Sequence, residues 1–140
     1  MPVVVDASVI AAIAFGEPDG PALTRHLSGQ SLLAPTLIDY ELANVALVKS
    51  RRVPADAAAI AMALGAATGL RLARHRVGAS EALDLGRRTG LTAYDASYLW
   101  LALAHDAELV TLDRKLAAAA SDPARWARAS ARSAGSNAAR

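Results

Sequence analysis

Short apolar runs alternate with longer helical segments along this chain. Residues 2–5, 31–34 and 108–112 are rich in β-branched and aliphatic side chains and predict buried strands, while residues 70–77 are ambiguous and have room for a fourth. Periodic or alanine-rich segments predict helices at residues 7–15, 18–27, 35–50, 54–67, 79–88, 93–105 and 114–120. The alternation of strands with helices predicts an α/β fold with a mostly parallel sheet.

The composition supports one core-forming domain followed by a basic tail. Of the 140 residues, 54% are hydrophobic, and the lack of cysteine excludes disulfides and thiolate metal sites. Residues 1–122 hold 11 basic and 13 acidic side chains, whereas four arginines lie beyond residue 122. We therefore divide the chain into a domain at residues 1–121 and a tail at residues 122–140, in which Trp126 indicates some packing.

The pattern predicts neither a signal peptide nor a membrane span. The N-terminus lacks a basic segment, and Asp6 interrupts its first apolar run. The longest charge-free stretch in the middle of the chain, residues 57–70, is too short to cross a bilayer. We expect a cytoplasmic protein with no membrane partner.

Three aspartates stand where predicted strands end or predicted helices begin. Asp6 follows the first strand, Asp113 follows the last strand, and Asp95 opens an apolar helix. Each fits a helix cap when it is taken alone, and Thr92 with Asp95 matches a capping box. In open α/β sheets, however, ligand sites form beyond the carboxyl ends of the strands.

Glu41 is the most informative acid in the sequence. Helical periodicity places it in the middle of the apolar stripe of its helix, close to Val45 and Val48. A carboxylate buried there needs a salt bridge or a metal ion. Thr36 and Asp39, in contrast, match a capping box, so we assign Asp39 only a cap.

Taken together, the four acids predict a cation site. Asp6 and Asp113 are expected at the ends of neighbouring strands, and Asp95 and Glu41 approach them from helices. Carboxylates placed in this way, with no lysine nearby, repel one another strongly unless a cation lies between them. Hard oxygen ligands select Mg²⁺, with Mn²⁺ as the alternative.

Four segments resemble, in order and spacing, the acidic motifs of PIN-domain ribonucleases. They are Val3-Val4-Val5-Asp6-Ala7-Ser8, Tyr40-Glu41-Leu42-Ala43-Asn44, Leu91-Thr92-Ala93-Tyr94-Asp95-Ala96 and Leu109-Val110-Thr111-Leu112-Asp113. Each motif is weak alone, whereas four in order between residues 3 and 120 are specific. The small size resembles the VapC-type toxins of bacterial toxin–antitoxin pairs, although the tail is longer and more basic than the family pattern.

This resemblance implies a three-layer α/β/α sandwich and an Mg²⁺-dependent endoribonuclease that hydrolyses RNA phosphodiesters with metal-activated water. It also implies a homodimer and a cognate antitoxin that blocks the site. Asp6 and Asp95 match the usual direct metal ligands. The whole catalytic and metal-binding quartet corresponds to Asp6, Glu41, Asp95 and Asp113. The supporting polar positions correspond to Ser8, Asn44 and Thr111.

Basic side chains are needed to hold the RNA backbone, although a solvated surface or a contact with the antitoxin explains them equally well. The candidates are Arg71, Arg74, Arg76 and Arg114. Three aromatic residues fit core positions better than a base-stacking surface: Tyr94, Tyr98 and Trp100. We assign no general base among the histidines, which are His26, His75 and His105.

Other protein classes share part of this pattern. A phosphate-accepting receiver domain needs a second acid beside Asp6 and a well-placed lysine, and the sequence has no such acid. A dehalogenase-type hydrolase needs an aspartate at the position of Ser8. Both classes are therefore disfavoured. A catalytically inactive PIN scaffold that binds RNA or protein stays open as the alternative. An RNase assay with and without EDTA distinguishes this scaffold from an active nuclease.

Overall fold

The sheet consists of four short parallel strands in the order β3-β2-β1-β4. They are β1 (Pro2–Val5), β2 (Ser31–Pro35), β3 (Leu72–His75) and β4 (Glu108–Val110). The computed structural model of the chain describes residues 2–126. Val3, Val4 and Val5 of β1 are fully buried. This is typical of a parallel strand that helices cover on both faces, and it explains why the strand is a continuous apolar run.

Seven complete helices and one 3₁₀ turn (Pro54–Asp56) lie in the described part of the chain, and residues 123–126 at its end are also helical. The helices are α1 (Ala7–Ala14), α2 (Gly20–Leu27), α3 (Ile38–Arg52), α4 (Ala57–Thr68), α5 (Ala79–Thr89), α6 (Ala93–Ala104) and α7 (Arg114–Ala120). Helices α1, α3 and α4 pack together, whereas α6 packs on the sheet and contacts α5 and α7. Right-handed crossovers place these two groups on opposite faces, so the predicted α/β/α sandwich is confirmed.

The order in which the parallel strands are added to the sheet reverses at β1. From β1 the chain proceeds through β2 to β3 on one side, and then crosses back to β4 on the other side of β1. Such a switch point opens a crevice beyond the carboxyl ends of the two strands. Asp6 follows β1 directly, and the Thr111–Asp113 segment follows β4, so both are placed at this crevice.

Several predicted boundaries move by a few residues. The third helix begins at Ile38 because Pro35 still belongs to β2, where it is in register with His75 of β3. The second helix begins at Gly20, β3 occupies only the middle of residues 70–77, and β4 ends at Val110. The predicted end of α5 is confirmed, because Gly90 forms its cap with a left-handed φ of 74°.

The cap predicted at Asp39 is wrong. The N-cap position of α3 is Leu37, and no side chain caps it. Asp39 instead accepts two hydrogen bonds of 2.8 Å from Nε and Nη2 of Arg74. Because Arg74 also donates to the carbonyls of Leu72 and Thr68, this ion pair ties α3 to β3 and to the end of α4.

Trp126 packs into the hydrophobic core that the rest of the fold forms. Its indole Nε1 donates a 2.9 Å hydrogen bond to the carbonyl of Ala119 in α7. Packing of Trp126 was expected, whereas a division of the chain at residue 121 stays a prediction. Arg128, Arg132 and Arg140 of the basic tail lie outside the described residues.

None of the helices within residues 2–126 is long and apolar enough to cross a membrane.

Candidate active site

An open cleft of about 650 Å³ lies at the carboxyl ends of β1 and β4. Ser8 and Asn44 line it together with all four predicted acids, which are Asp6, Glu41, Asp95 and Asp113. A second cleft of about 680 Å³ beside β4 is slightly larger, but none of these acids lines it. Chemistry rather than size therefore identifies the cleft of the four acids as the candidate site.

Asp6 is buried, and both of its carboxylate oxygens are held in place. Oδ1 accepts a 2.6 Å hydrogen bond from the Ser8 hydroxyl and a 3.2 Å bond from the backbone N–H of Val9. Oδ2 accepts a 2.5 Å hydrogen bond from the Thr111 hydroxyl. The bond from Val9 caps α1, so the cap and the candidate ligand are the same side chain.

The loop after β4 determines the direction in which these two hydroxyls donate. The N–H of Leu112 donates to Ser8 Oγ at 3.1 Å, and the N–H of Asp113 donates to Thr111 Oγ1 at 3.0 Å. Because each hydroxyl already accepts a backbone N–H, its own proton is directed toward Asp6. The supporting roles predicted for Ser8 and Thr111 thus have a geometric basis, whereas Asn44 contributes only to the lining of the cleft.

Glu41 is half-buried on the wall of the cleft. Its Oε1 accepts a 2.7 Å hydrogen bond from the hydroxyl of Tyr98, which is buried in α6. The predicted position in the middle of the core-facing stripe is wrong. Ile38, Leu42 and Ala46 form the buried face of α3, while Val48 is 42% exposed. Glu41 lies on the flank of that face, which leaves its carboxylate directed to the cleft.

Asp95, in the first turn of α6, and Asp113, the residue before α7, complete the wall of the cleft. The Thr92 hydroxyl accepts a 3.1 Å hydrogen bond from the N–H of Asp95, so Thr92 caps α6 and leaves the Asp95 carboxylate at the cleft. Asp113 caps α7, because its Oδ1 accepts a 2.8 Å bond from the N–H of Leu116. The caps predicted for Thr92 and Asp113 are confirmed.

The acids perturb one another electrostatically. Burial raises the pKa of Glu41, and the charges of Asp95 and Asp6 raise it further, against the hydrogen bond from Tyr98 that lowers it. Burial also raises the pKa of Asp95, with added repulsion from Asp113 and Asp6, against smaller opposing effects of Thr92 and Lys115. Burial and Glu41 raise the pKa of Tyr98 strongly, so its hydroxyl stays protonated and donates.

The burial of Asp95 and the repulsion by its neighbours predict a pH-dependent effect of this residue on stability. A carboxyl whose pKa is raised by folding lowers stability as pH rises from below its unfolded pKa to above its folded pKa. In metal-free protein at pH 7, Asp95→Asn should therefore raise the Tm, by up to about 4 °C because the group is partly solvated. The gain should vanish below a pH of about 4, near the pKa of an unfolded aspartate.

Calorimetry in EDTA at both pH values measures this effect. Asp19→Asn is a matched control, because Asp19 is exposed and makes no side-chain cap hydrogen bond. A lower Tm of Asp95→Asn at pH 7 would contradict the prediction, since it would show that the carboxylate stabilises the first turn of α6 more than repulsion destabilises it.

The donor chemistry of the cleft fits a hard divalent cation. Four carboxylates offer oxygen ligands, and the raised pKa values of Glu41 and Asp95 are the effect that a cation would relieve. Across residues 2–126, no three acidic or histidine side chains converge tightly enough to form a metal site as they stand. The four acids therefore line one cleft without forming a closed metal site.

The candidate RNA-binding arginines are not gathered at this cleft. Arg71 precedes β3 near the start of β2, at the opposite end of the sheet. Arg74 is engaged by Asp39. Arg76 is exposed just after β3, and Arg114 is exposed directly after Asp113, so Arg114 is the one placed beside an acid of the site.

The sequence interpretation missed two contributions to the site. The Tyr98 hydroxyl contacts Glu41 over 57 residues of sequence, and no local pattern indicates such a pair. Tyr40 lies on the rim of the cleft and is 82% exposed, and its place in the motif beside Glu41 was the available signal. Tyr98 and Trp100 pack in or against the core as expected, but Tyr94 is 67% exposed at the cleft, so its predicted core position is wrong.

The fold and the acid-lined cleft define a class of nuclease-like α/β domain, and comparison with known proteins agrees. Residues 3–122 match the PIN domain family, so the chain belongs to the PIN domain family, whose members are typically nucleases. The chain is also similar to a solved structure, PAE2754 from Pyrobaculum aerophilum, with 30% sequence identity and a TM-score of 0.67. That match covers 84% of this chain and 86% of the other. No curated protein matches the chain significantly.

Proposed function

We propose that this chain is an Mg²⁺-dependent endoribonuclease that hydrolyses RNA phosphodiesters. The observation that carries the proposal is the fixation of Asp6, whose two oxygens are held by Ser8, Val9 and Thr111 at the switch point of the sheet. A helix cap alone needs only the bond from Val9. The additional hydroxyl contacts are those expected for a carboxylate whose orientation matters to a ligand.

The four acids would have different roles in the site. Asp6 and Asp95 would hold the divalent ion, with Glu41 and Asp113 completing the donor set, and Mn²⁺ suits the same ligands. When bound, such an ion supplies an activated water and neutralises charge on the scissile phosphate. Ser8 and Thr111 orient Asp6, and Tyr98 orients Glu41 while remaining protonated.

Removal of divalent ions tests this function directly. We expect purified protein to cleave a single-stranded RNA internally in Mg²⁺, to lose this activity in EDTA, and to regain it with excess Mg²⁺ or Mn²⁺. Gel analysis of end-labelled RNA measures the cleavage, and Asp6→Asn protein purified in parallel controls for contaminating ribonucleases. Cleavage that persists equally in EDTA would contradict metal dependence, and binding without cleavage would favour the inactive scaffold.

We further propose a biological role as the toxin of a toxin–antitoxin pair, a cytoplasmic homodimer that a cognate antitoxin blocks. Support comes from the four motifs in order and the membership of the PIN domain family. Induction of the chain in bacteria should arrest growth, induction of Asp6→Asn should not, and co-expression of a small antitoxin encoded by a neighbouring reading frame should restore growth. Light scattering of the purified protein tests the dimer.

A further inference from the structure

All three tyrosines of the chain line the acid cleft, and two of them stand exposed on its rim. Tyr40 is 82% and Tyr94 is 67% exposed, whereas Tyr98 is buried. Tyr40 and Tyr94 lie in the first turns of α3 and α6, and each directly precedes an acid of the cleft, Glu41 or Asp95. We call Tyr40 and Tyr94 the aromatic rim.

Core packing does not explain the aromatic rim. A side chain this exposed gains little from burial, and a rigid aromatic face beside a cleft is a common form of contact surface. The helices that carry the two rings are anchored by buried neighbours, Ile38 in α3 and Ala96 in α6. The backbone that carries the two rings is therefore held in place, while the rings themselves are exposed to solvent.

The charge of the cleft limits how it can hold RNA. Among the described residues, four carboxylates and no lysine or arginine line it, and the nearest basic residues in sequence, Arg114 and Lys115, follow Asp113 outside the lining. Without a cation these acids repel the phosphates of a nucleic acid. Contacts to uncharged parts of the substrate would therefore add affinity next to the scissile bond, and the faces of the bases are the largest such surface.

We propose that the aromatic rim stacks on unpaired bases beside the scissile phosphate and so positions that phosphate at the acids of the cleft. This inference rests on the proposed ribonuclease function and assigns it two substrate-positioning residues, Tyr40 and Tyr94. In a duplex the faces of the bases are covered by their neighbours, whereas unpaired nucleotides in loops and tails offer them to aromatic side chains. Because each ring adjoins an acid of the cleft, a base stacked on it brings its own phosphate to the carboxylates.

Binding of a nuclease-resistant oligonucleotide tests the aromatic rim without requiring cleavage. The probe is a short 2′-O-methyl RNA that contains 2-aminopurine, whose fluorescence is quenched when it stacks, titrated in Mg²⁺ at fixed salt. Tyr40→Ala and Tyr94→Ala should each weaken binding about tenfold and reduce the quenching, as expected for the loss of one base stack. Tyr40→Phe and Tyr94→Phe should bind like the wild type, since they keep the ring.

Leu83→Ala is the matched control, because Leu83 is 54% exposed on α5 and does not line the cleft. Circular dichroism confirms that each variant is folded. A wild type that does not bind the probe, a duplex probe bound as tightly as the single strand, or unchanged affinity in both alanine variants would overturn the proposal. Unchanged affinity in both alanine variants would favour a protein partner, rather than RNA, as the ligand of the aromatic rim. Binding by the rim without any RNA cleavage would refute the ribonuclease function alone.

Discussion

Replacing Asp6 by asparagine should lower the rate of RNA cleavage by about a thousandfold, the factor that corresponds to several kcal/mol of lost stabilisation of charge in the transition state. The fold should survive, because an asparagine side chain still presents one oxygen to the N–H of Val9 and to one hydroxyl. Its amide nitrogen, however, cannot accept a hydrogen bond or bind a cation where a carboxylate oxygen did.

Two measurements separate chemistry from folding in this variant. Cleavage of end-labelled RNA in Mg²⁺ gives the rate, and thermal unfolding in EDTA gives a Tm equal to or slightly above that of the wild type, since one repelling charge is gone. Ser8→Ala and Thr111→Val should lose about tenfold to a hundredfold, as orienting partners of a ligand do. Near wild-type cleavage by Asp6→Asn would contradict the assignment of Asp6 as a metal-binding residue of the active site.

The sequence predicted the elements and the acids well because those signals are local. Short valine-rich or leucine-rich runs become strands covered on both faces, and an aspartate after such a run falls at the carboxyl end of the sheet whatever the rest of the chain does. The four acids therefore stood out in the sequence, and all of them line one cleft. Whether they perform catalysis is still a prediction.

The interactions that no local pattern contains were missed. Asp39 forms an ion pair with Arg74, which lies 35 residues further along the chain. The cap expected from Thr36 and Asp39 does not form, because β2 extends to Pro35 and α3 begins only at Ile38. Periodicity also gave α3 the wrong buried face. Its face is set by contact with α1 and α4, which selects Ile38, Leu42 and Ala46 and leaves Val48 in solvent. Hydrophobicity alone does not distinguish these neighbouring stripes of one helix.

Two acids on α3 should respond in opposite ways to the same neutralising substitution. Glu41→Gln should lower cleavage by about tenfold to a hundredfold, since even an outer partner of a metal site has effects of that size. Its stability should not fall, because the glutamine carbonyl still accepts the hydrogen bond of Tyr98 and a partly buried charge is removed. The raised pKa of Glu41 means that its ionised form carries a cost in the folded state at neutral pH.

Asp39→Asn should instead leave cleavage per folded molecule unchanged and lower the free energy of unfolding by about 1–3 kcal/mol, the usual contribution of hydrogen bonds to a charged group. The reason is that Arg74 loses its ionic partner while its contacts to Leu72 and Thr68 keep it in place between α3, β3 and α4. Urea unfolding and initial cleavage rates, measured on the same preparations of both variants, test the contrast. If Asp39→Asn lost activity as strongly as Glu41→Gln while fully folded, the assignment of catalysis to the flank of α3 that faces the cleft would fail.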